Sequence, residues 1–584
     1  MAAVEKLITD SLDIWTSAIK AKSSAGRGGS KKAELYGIKK LRELILDLAV
    51  RGLLVPQNPD SEPAGSWLIE KSKERDLLVK SKAIKKPKKL PIIDNSEVPF
   101  TLPEGWEWER LGNFCRKLTD GSHNPPRDAG SGHPMLSSQN VNFGKIDFSS
   151  PSRYVTDDDF DKENNRTNVQ PGDVLLNIVA SIGRSAVVPS NAPQFVLQRS
   201  VAVIESPINP EYLSKHFISP VCLSYYEKNA KGTAQKGIYL GKLSLMLIAV
   251  PPIEEQHRIV AKVDELMTLC DQLEQQTEAS IAAHQTLVEA LLGALTNAPD
   301  HASFQQAWQR IAEHFDTLFT TEHSIEQLKQ TILQLAVMGK LVPQDPNDEP
   351  ASELLKRIAN EKIRLIREGK IKKQKPSPSI TDNQVPFELP NGWKWCRLTD
   401  VGNLARGKSK HRPRNDPKLY SNGSIPLVQT GDVARSDGII TTYTALYNEI
   451  GLSQSQLWPK GTMCITIAAN IADTGILGFD ACFPDSVVGY TLLDQNIDVK
   501  YFDFFIQTAK SHLEEFAPST AQKNINLEIL SQLQVPCPPA PEINRIVHRV
   551  QELNGLFDQL NARLKNSQTI QLHLANALTE QAIT

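Results

Sequence analysis

The chain has 584 residues, of which 40% are hydrophobic and 23% charged, with a formal net charge of -2. That is the profile of a soluble globular protein too long for one domain. Glu5, Asp10 and Asp13 near the start exclude a signal or transit segment, and no apolar run approaches the roughly 20 residues that span a bilayer, so the chain is read as cytoplasmic with no membrane partner. Seven scattered cysteines without a C-x-x-C pair argue against a disulfide scaffold and a structural zinc site.

In chain order, residues 1–97 read as a helical arm and a basic linker. Leu41, Leu44, Ile45 and Leu48 form a helical stripe that stops at Gly52 and Pro56. Lys82, Lys85, Lys86, Lys88 and Lys89 follow, a run whose default is a solvated tether and whose alternative is weak contact with DNA phosphates. Residues 98–252 alternate short β-branched runs with Gly, Pro, Asn and Asp turns, as in GDVLLNIVASIGRSAVV from Gly172 to Val188, and predict a mixed α/β globule. Residues 253–299 predict a long helix, because Ile259, Val263, Leu266, Cys270 and Leu273 alternate at spacings of four and three, the seam of a coiled coil.

The rest of the chain repeats this order. Ile38 to Ala64 recurs as Ile325 to Ala351, Val98 to Leu111 as Val385 to Leu398, and Pro251 to Val260 as Pro538 to Val547, each shifted by 287 residues. Residues 300–384 are therefore a second arm and linker, with Lys370, Lys372, Lys373 and Lys375. Residues 385–538 are a second globule, and residues 539–584 a second long helix with Ile546, Val550, Leu553, Phe557 and Leu560 on its seam. The fold class expected is α+β, a tandem duplication of a mixed α/β globule plus a long helix, with the two helices pairing as an antiparallel coiled coil. The interiors of the globules diverge while their frames match. One scaffold thus carries two specificities.

Several loops have the chemistry of nucleic-acid contact, which needs donors aimed at base edges and cations on phosphates. LTDGSHNPPR, Leu118 to Arg127, offers Asp120, Ser122, His123 and Arg127, with an Asx-type turn closing a hairpin as the structural alternative. RGKSKHRPRND, from Arg406, packs Arg406, Lys408, Lys410, His411, Arg412 and Arg414 into nine residues broken by Gly407 and Pro413, a density that a solvated loop does not need. A T-A-Q-K turn occurs in both globules. Thr233, Gln235 and Lys236, with Thr520, Gln522 and Lys523, either touch the DNA backbone or support the fold.

The paired blocks PFTLPEGWEWERL and PFELPNGWKWCRL, each closed by PPIEEQHRIV or PPAPEINRIV ahead of a long helix, resemble the specificity subunit of type I restriction–modification enzymes. The resemblance covers nearly the whole chain, and the extended arms resemble the longer-chain branch. LTDGSHNPPR is similar to a D-G-T-H loop common in such domains. The second closing block departs from the pattern at Pro541 and Asn544, where the first has Glu254 and His257, which leaves the fold expected intact and bears only on where the helix starts near Ile543. The resemblance implies a subunit with no catalytic site and no cofactor of its own, bound to double-stranded DNA. It implies two modification subunits carrying S-adenosylmethionine, which methylate adenine, and two restriction subunits using ATP and Mg.

The enzyme readings fare less well. Asn124-Pro125-Pro126 lacks the aromatic ring that a base-gripping loop needs, since Arg127 follows, and no phosphate-binding G-x-x-x-x-G-K-[ST] motif occurs. Asp157, Asp158, Asp159 and Asp161 are expected in a solvated polar turn rather than at a metal. The rivals to a recognition subunit are a single-chain modification–restriction enzyme, or its fragment, and a two-headed repressor.

Overall fold

A computed structural model describes residues 2–21, 33–232, 235–371, 380, 385–468, 470–515 and 525–583. It divides into two compact units, residues 1–281 with 566–584, and residues 282–565.

In the first unit the stripe forms an arm helix, Tyr36–Val50, in which Leu41, Leu44, Ile45 and Leu48 are buried. The helix ends in a Schellman-type turn. Leu53 N–H donates to Leu48 O at 2.9 Å, with Gly52 at φ +71°. The recognition domain that follows is closed by its own first and last strands, Glu107–Arg110 and Leu247–Val250, paired antiparallel with Trp108 opposite Ala249. Its main sheet runs in the order Ser185–Val187, Val174–Asn177, Val201–Glu205, Lys117–Asp120. Val174, Leu175 and Leu176 are buried together with Val201 to Ile204, so both faces of these strands lie in apolar surroundings.

The second unit repeats this plan. Its arm helix is Glu322–Val337, and its closing strands are Lys394–Arg397 and Gln534–Cys537, with Trp395 opposite Pro536. Its main sheet has one more strand, in the order Gly402–Arg406, Val487–Leu492, Met463–Thr466, Thr474–Leu477, Ile439–Ile440.

The long helices run Ile253–Thr296 and Ala540–Ile583, 44 residues each. The second starts three residues ahead of Ile543, because proline is tolerated in a first turn, where its missing N–H has no helical partner. Ile259, Val263, Leu266 and Cys270 are buried in one apolar core with Ile38, Leu41 and Ile45 of the arm helix and with Ala575 from the far end of the second long helix. In the second unit Ile546, Val550 and Phe557 share a core with Ile325, Leu328 and Ile332, and with Val288, Leu292 and Leu295 from the end of the first. The start of each helix thus meets the end of the other, the antiparallel sense. The seam residues also face an arm helix, so this is more than a two-helix zipper. Arg42 pairs with Asp271 at 2.7 Å and Glu274 at 2.8 Å, and 287 residues on Lys329 pairs with Asp558 at 3.1 Å.

All seven cysteines are free and buried. Lys82 lies exposed in the turn that follows the helix Ala64–Lys80, at φ +63°, and Lys85, Lys86, Lys88 and Lys89 lie exposed outside any helix or strand, whereas Lys372, Lys373 and Lys375 fall outside the described residues. Asp157, Asp158 and Asp159 correct the expectation of a polar turn. They form the first turn of a helix, Asp157–Thr167, whose N-cap Thr156 accepts the Asp159 N–H at 3.3 Å. Carboxylates stabilise that end of a helix through its dipole, a sufficient reason for the cluster.

Candidate nucleic-acid interface

In the first unit the strand Lys117–Asp120 runs out at the end of the sheet where Val201–Glu205 begins. The Asp120 carboxylate is buried there, accepting from Arg166 Nη2 at 2.5 Å and pairing with His123 Nε2 at 3.0 Å. Gly121 squeezes past the neighbouring chain, where a Cβ would lie 2.2 Å from Leu197 O. Ser122 is buried too, its N–H donating to Leu197 O at 2.7 Å and its carbonyl accepting from Arg199 N–H at 2.9 Å. Asp120 and Ser122 therefore tie the loop down, while His123 and Arg127 are the exposed residues of the set. Arg199 is exposed at the same place, and the sequence reading missed it.

The first T-A-Q-K segment arrives at this same end of the sheet. Ala180 N–H donates to Lys236 O at 3.0 Å, Ile238 N–H to Ile178 O at 2.8 Å, and Ile178 N–H to Ser200 O at 2.9 Å. Gln235 and Lys236 are exposed, and Thr233 lies outside the described residues. The main-chain bonds thus gather two loops, far apart in the chain, beside the start of the strand Val201–Glu205.

The second unit has the same framework. Gly407 N–H donates to Val487 O at 2.9 Å, as Gly121 does to Val201 O at 3.2 Å. Ile467 N–H donates to Ser486 O at 3.0 Å, and Ile525 N–H to Ile467 O at 3.1 Å, matching Ile178 and Ile238. Ile525 closes the second T-A-Q-K segment, whose Thr520, Gln522 and Lys523 lie outside the described residues.

The basic stretch departs from this sheet end, Arg406 being the last residue of its strand and the rest a loop, as its glycine and proline predict. Gln454 Oε1 accepts from the main-chain N–H groups of Lys410 at 2.7 Å and His411 at 3.1 Å. His411 Nε2 meets Asp416 at 2.8 Å, and the Lys418 N–H together with this histidine holds the Asp416 carboxyl below the usual range. Arg406 Nε donates to the Asp485 carbonyl, Arg414 pairs with the Asp485 carboxylate at 2.6 Å, and Arg412 lies 3.9 Å from its other oxygen. Lys408 and Lys410 point into solvent. The loop is thus a cationic surface braced from within by Gln454, Asp416 and Asp485. Gln454 and Asp485 reach it from distant parts of the chain, so no local pattern announces them.

Among the described residues no group of three or more His, Cys, Asp or Glu is placed to hold a metal, and no helix is long and apolar enough to cross a membrane.

The family model for the type I restriction modification DNA specificity domain matches the chain twice, at residues 103–283 and 390–567. The chain is 38% identical to the type I restriction enzyme EcoAI specificity subunit of Escherichia coli, over 100% of both chains. It belongs to the type I restriction specificity subunits. It is likewise 37% identical to the EcoEI specificity subunit of Escherichia coli, again over 100% of both. A solved chain from a type I R-M system is 17% identical, with a TM-score of 0.49, and covers 83% of this chain and 99% of its own length. As a specificity subunit the protein recognises DNA and is not the catalytic member of its complex. The two matched domains begin at Pro103 and Pro390, 287 residues apart, and each contains one of the sheet ends described above.

Proposed function

We propose that this specificity subunit reads a two-part sequence in double-stranded DNA, one part through each unit, with the two sheet ends as the contact surfaces. The observation that carries this reading is one main-chain framework, built twice, bearing unlike side chains: Asp120 and Arg199 in the first unit, Arg406 and Asp485 at the matching places in the second. A shared frame fixes how each unit approaches the groove, and unlike side chains there read unlike bases.

In the first unit His123, Arg127, Arg199, Gln235 and Lys236 are the contacts, and Thr233 of the same T-A-Q-K sequence is a further candidate. Asp120 and Ser122 act by holding the loop. In the second unit Lys408, Lys410, Arg412 and Arg414 meet phosphates and base edges, Arg406 and His411 shape the loop, and Thr520, Gln522 and Lys523, which repeat the T-A-Q-K sequence, are further candidates. The duplicated arms and long helices offer two equivalent surfaces, which suits two modification subunits carrying S-adenosylmethionine. Two restriction subunits using ATP and Mg complete the complex, which works in the cytoplasm.

Exchanging residues 385–536 for the matching segment of another specificity subunit, with methylation mapped across a genome expressing the hybrid and its modification partner, tests the reading. One half of the modified sequence should change and the other persist. A change in both halves would refute independent reading by the two units.

A further inference from the structure

The two sheet ends differ in charge at matching positions. In the first unit the strand-end residue is an acid, Asp120, engaged by Arg166 and His123, and the residue facing it across the strand start, Arg199, is exposed. In the second unit the polarity is reversed, with Arg406 at the strand end and Asp485 facing it. Asp485 accepts from Arg406 on its carbonyl and engages Arg414 and Arg412 with its carboxylate. Both arginine side chains are half exposed, whereas Asp485 is less so.

We propose that Asp485 is a specificity-determining positioning residue, an internal counter-ion that holds Arg412 and Arg414 and that a DNA phosphate must displace before it can use them. The inference rests on the proposed DNA contact by this loop. A phosphate of any sequence offers these arginines the same charge that Asp485 already supplies. Loose binding to arbitrary duplex therefore gains little, because one ion pair is broken for each one made. At the correct sequence, base-edge contacts add to the exchange and carry it forward. A carboxylate here thus lowers non-specific affinity more than specific affinity, and it fixes the Arg414 fork in one geometry before DNA arrives. Among the described residues, Arg199 of the first unit has no such carboxylate partner.

The test is Asp485→Asn in the full-length chain within its methyltransferase complex, measured by fluorescence anisotropy against salt. The two probes are a duplex bearing the sequence found by methylation mapping and a duplex lacking it. Removing one negative charge from the surface should let about one more phosphate be neutralised. The log–log salt slope on the non-specific duplex should then steepen by roughly 0.9, and affinity for it should rise about three- to tenfold near 0.15 M salt. Specific binding should change less, so discrimination falls. An unchanged slope on non-specific duplex, or weaker binding to both duplexes, would overturn the proposal. The variant Arg406→Ala/Arg412→Ala/Arg414→Ala separates the two layers. If it leaves DNA binding and its slope intact, the loop is not a contact surface. If it flattens the slope while Asp485→Asn changes nothing, the loop contact stands and the counter-ion role fails.

Discussion

His216 is a buried histidine whose two ring nitrogens are both engaged, Nε2 accepting from Ala249 N–H at 3.1 Å and Nδ1 meeting Cys222 Sγ at 3.2 Å. The repeat shows what this arrangement replaces. Tyr212 OH donates to Ala249 O and Tyr501 OH to Pro536 O, both at 2.7 Å, which equates the two helices and the two closing strands. By that match the second unit has Phe505 in place of His216 and Pro536 in place of Ala249. One unit has a donor and an acceptor, and the other has neither. Converting His216→Phe alone should strand a buried N–H and cost about 1–3 kcal/mol, and adding Ala249→Pro should recover much of that. Thermal melts of the two variants check it. Burial also pushes the His216 pKa down to about 3. Between that value and the ordinary imidazole value near 6.5 the unfolded chain binds a proton that the folded chain refuses. This group's contribution therefore fades as pH falls below about 6.5, and the double variant should lose that part of the acid sensitivity.

At the scale of elements, the arm helices are attached to their recognition domains through their C-terminal turns. Gly52 and Gly339 have φ of +71° and +70°, and a Cβ on either would lie 2.5 Å from the Cγ of Pro103 or Pro390 and 3.0 Å from the ring of Trp106 or Trp393. The tryptophan is held in turn. Trp393 Nε1 donates to the buried Glu542 at 3.0 Å, and Gln344 Nε2 reaches the same carboxylate at 3.3 Å. Gln57, Trp106 and Glu255 occupy the corresponding places in the first unit. Burial raises the pKa of both glutamates above the usual carboxylate range. Gly339→Ala meets both a left-handed backbone and a rigid proline ring. It should destabilise the second unit by about 2–3 kcal/mol. Hydrogen exchange should show the loss in Glu322–Val337 and spare Tyr36–Val50. Uniform protection across both would mean that the turn relaxes without strain.

At the scale of the whole molecule, the first unit includes the last turns of the second long helix, and the second unit the end of the first. In the first unit Ala575 is fully buried, Leu572 and Leu578 pack on the same core, and Tyr36 OH donates to Asn576 at 2.8 Å. Ending the chain after Lys565 removes all of these contacts and none from the core of residues 282–565. The truncated protein should therefore expose Tyr36–Val50 to proteolysis and exchange while Glu322–Val337 stays protected. Equal loss in the two arm helices would show that the units do not fold on separate cores.

The sequence by itself determined the duplication, the arms, the long helices and the family, because a repeat period and a helical stripe are read along the chain without knowing which residues touch. It determined the basic loop as well, since six cationic or titratable side chains around a glycine and a proline have a local reason to be a loop. Only the tertiary structure decided which polar residues face outward. Asp120 and Ser122 stand in the same ten-residue motif as His123 and Arg127. Yet Arg166 and Leu197, distant in sequence, draw the first two inward and leave the others exposed. Arg199 and Asp485 were illegible for the same reason. Each is a single charged residue ahead of a strand, and its meaning comes from the loop that the sheet brings opposite it. A side chain's role at a sheet end depends on partners supplied by hydrogen bonds between strands, and those partners are far away along the chain.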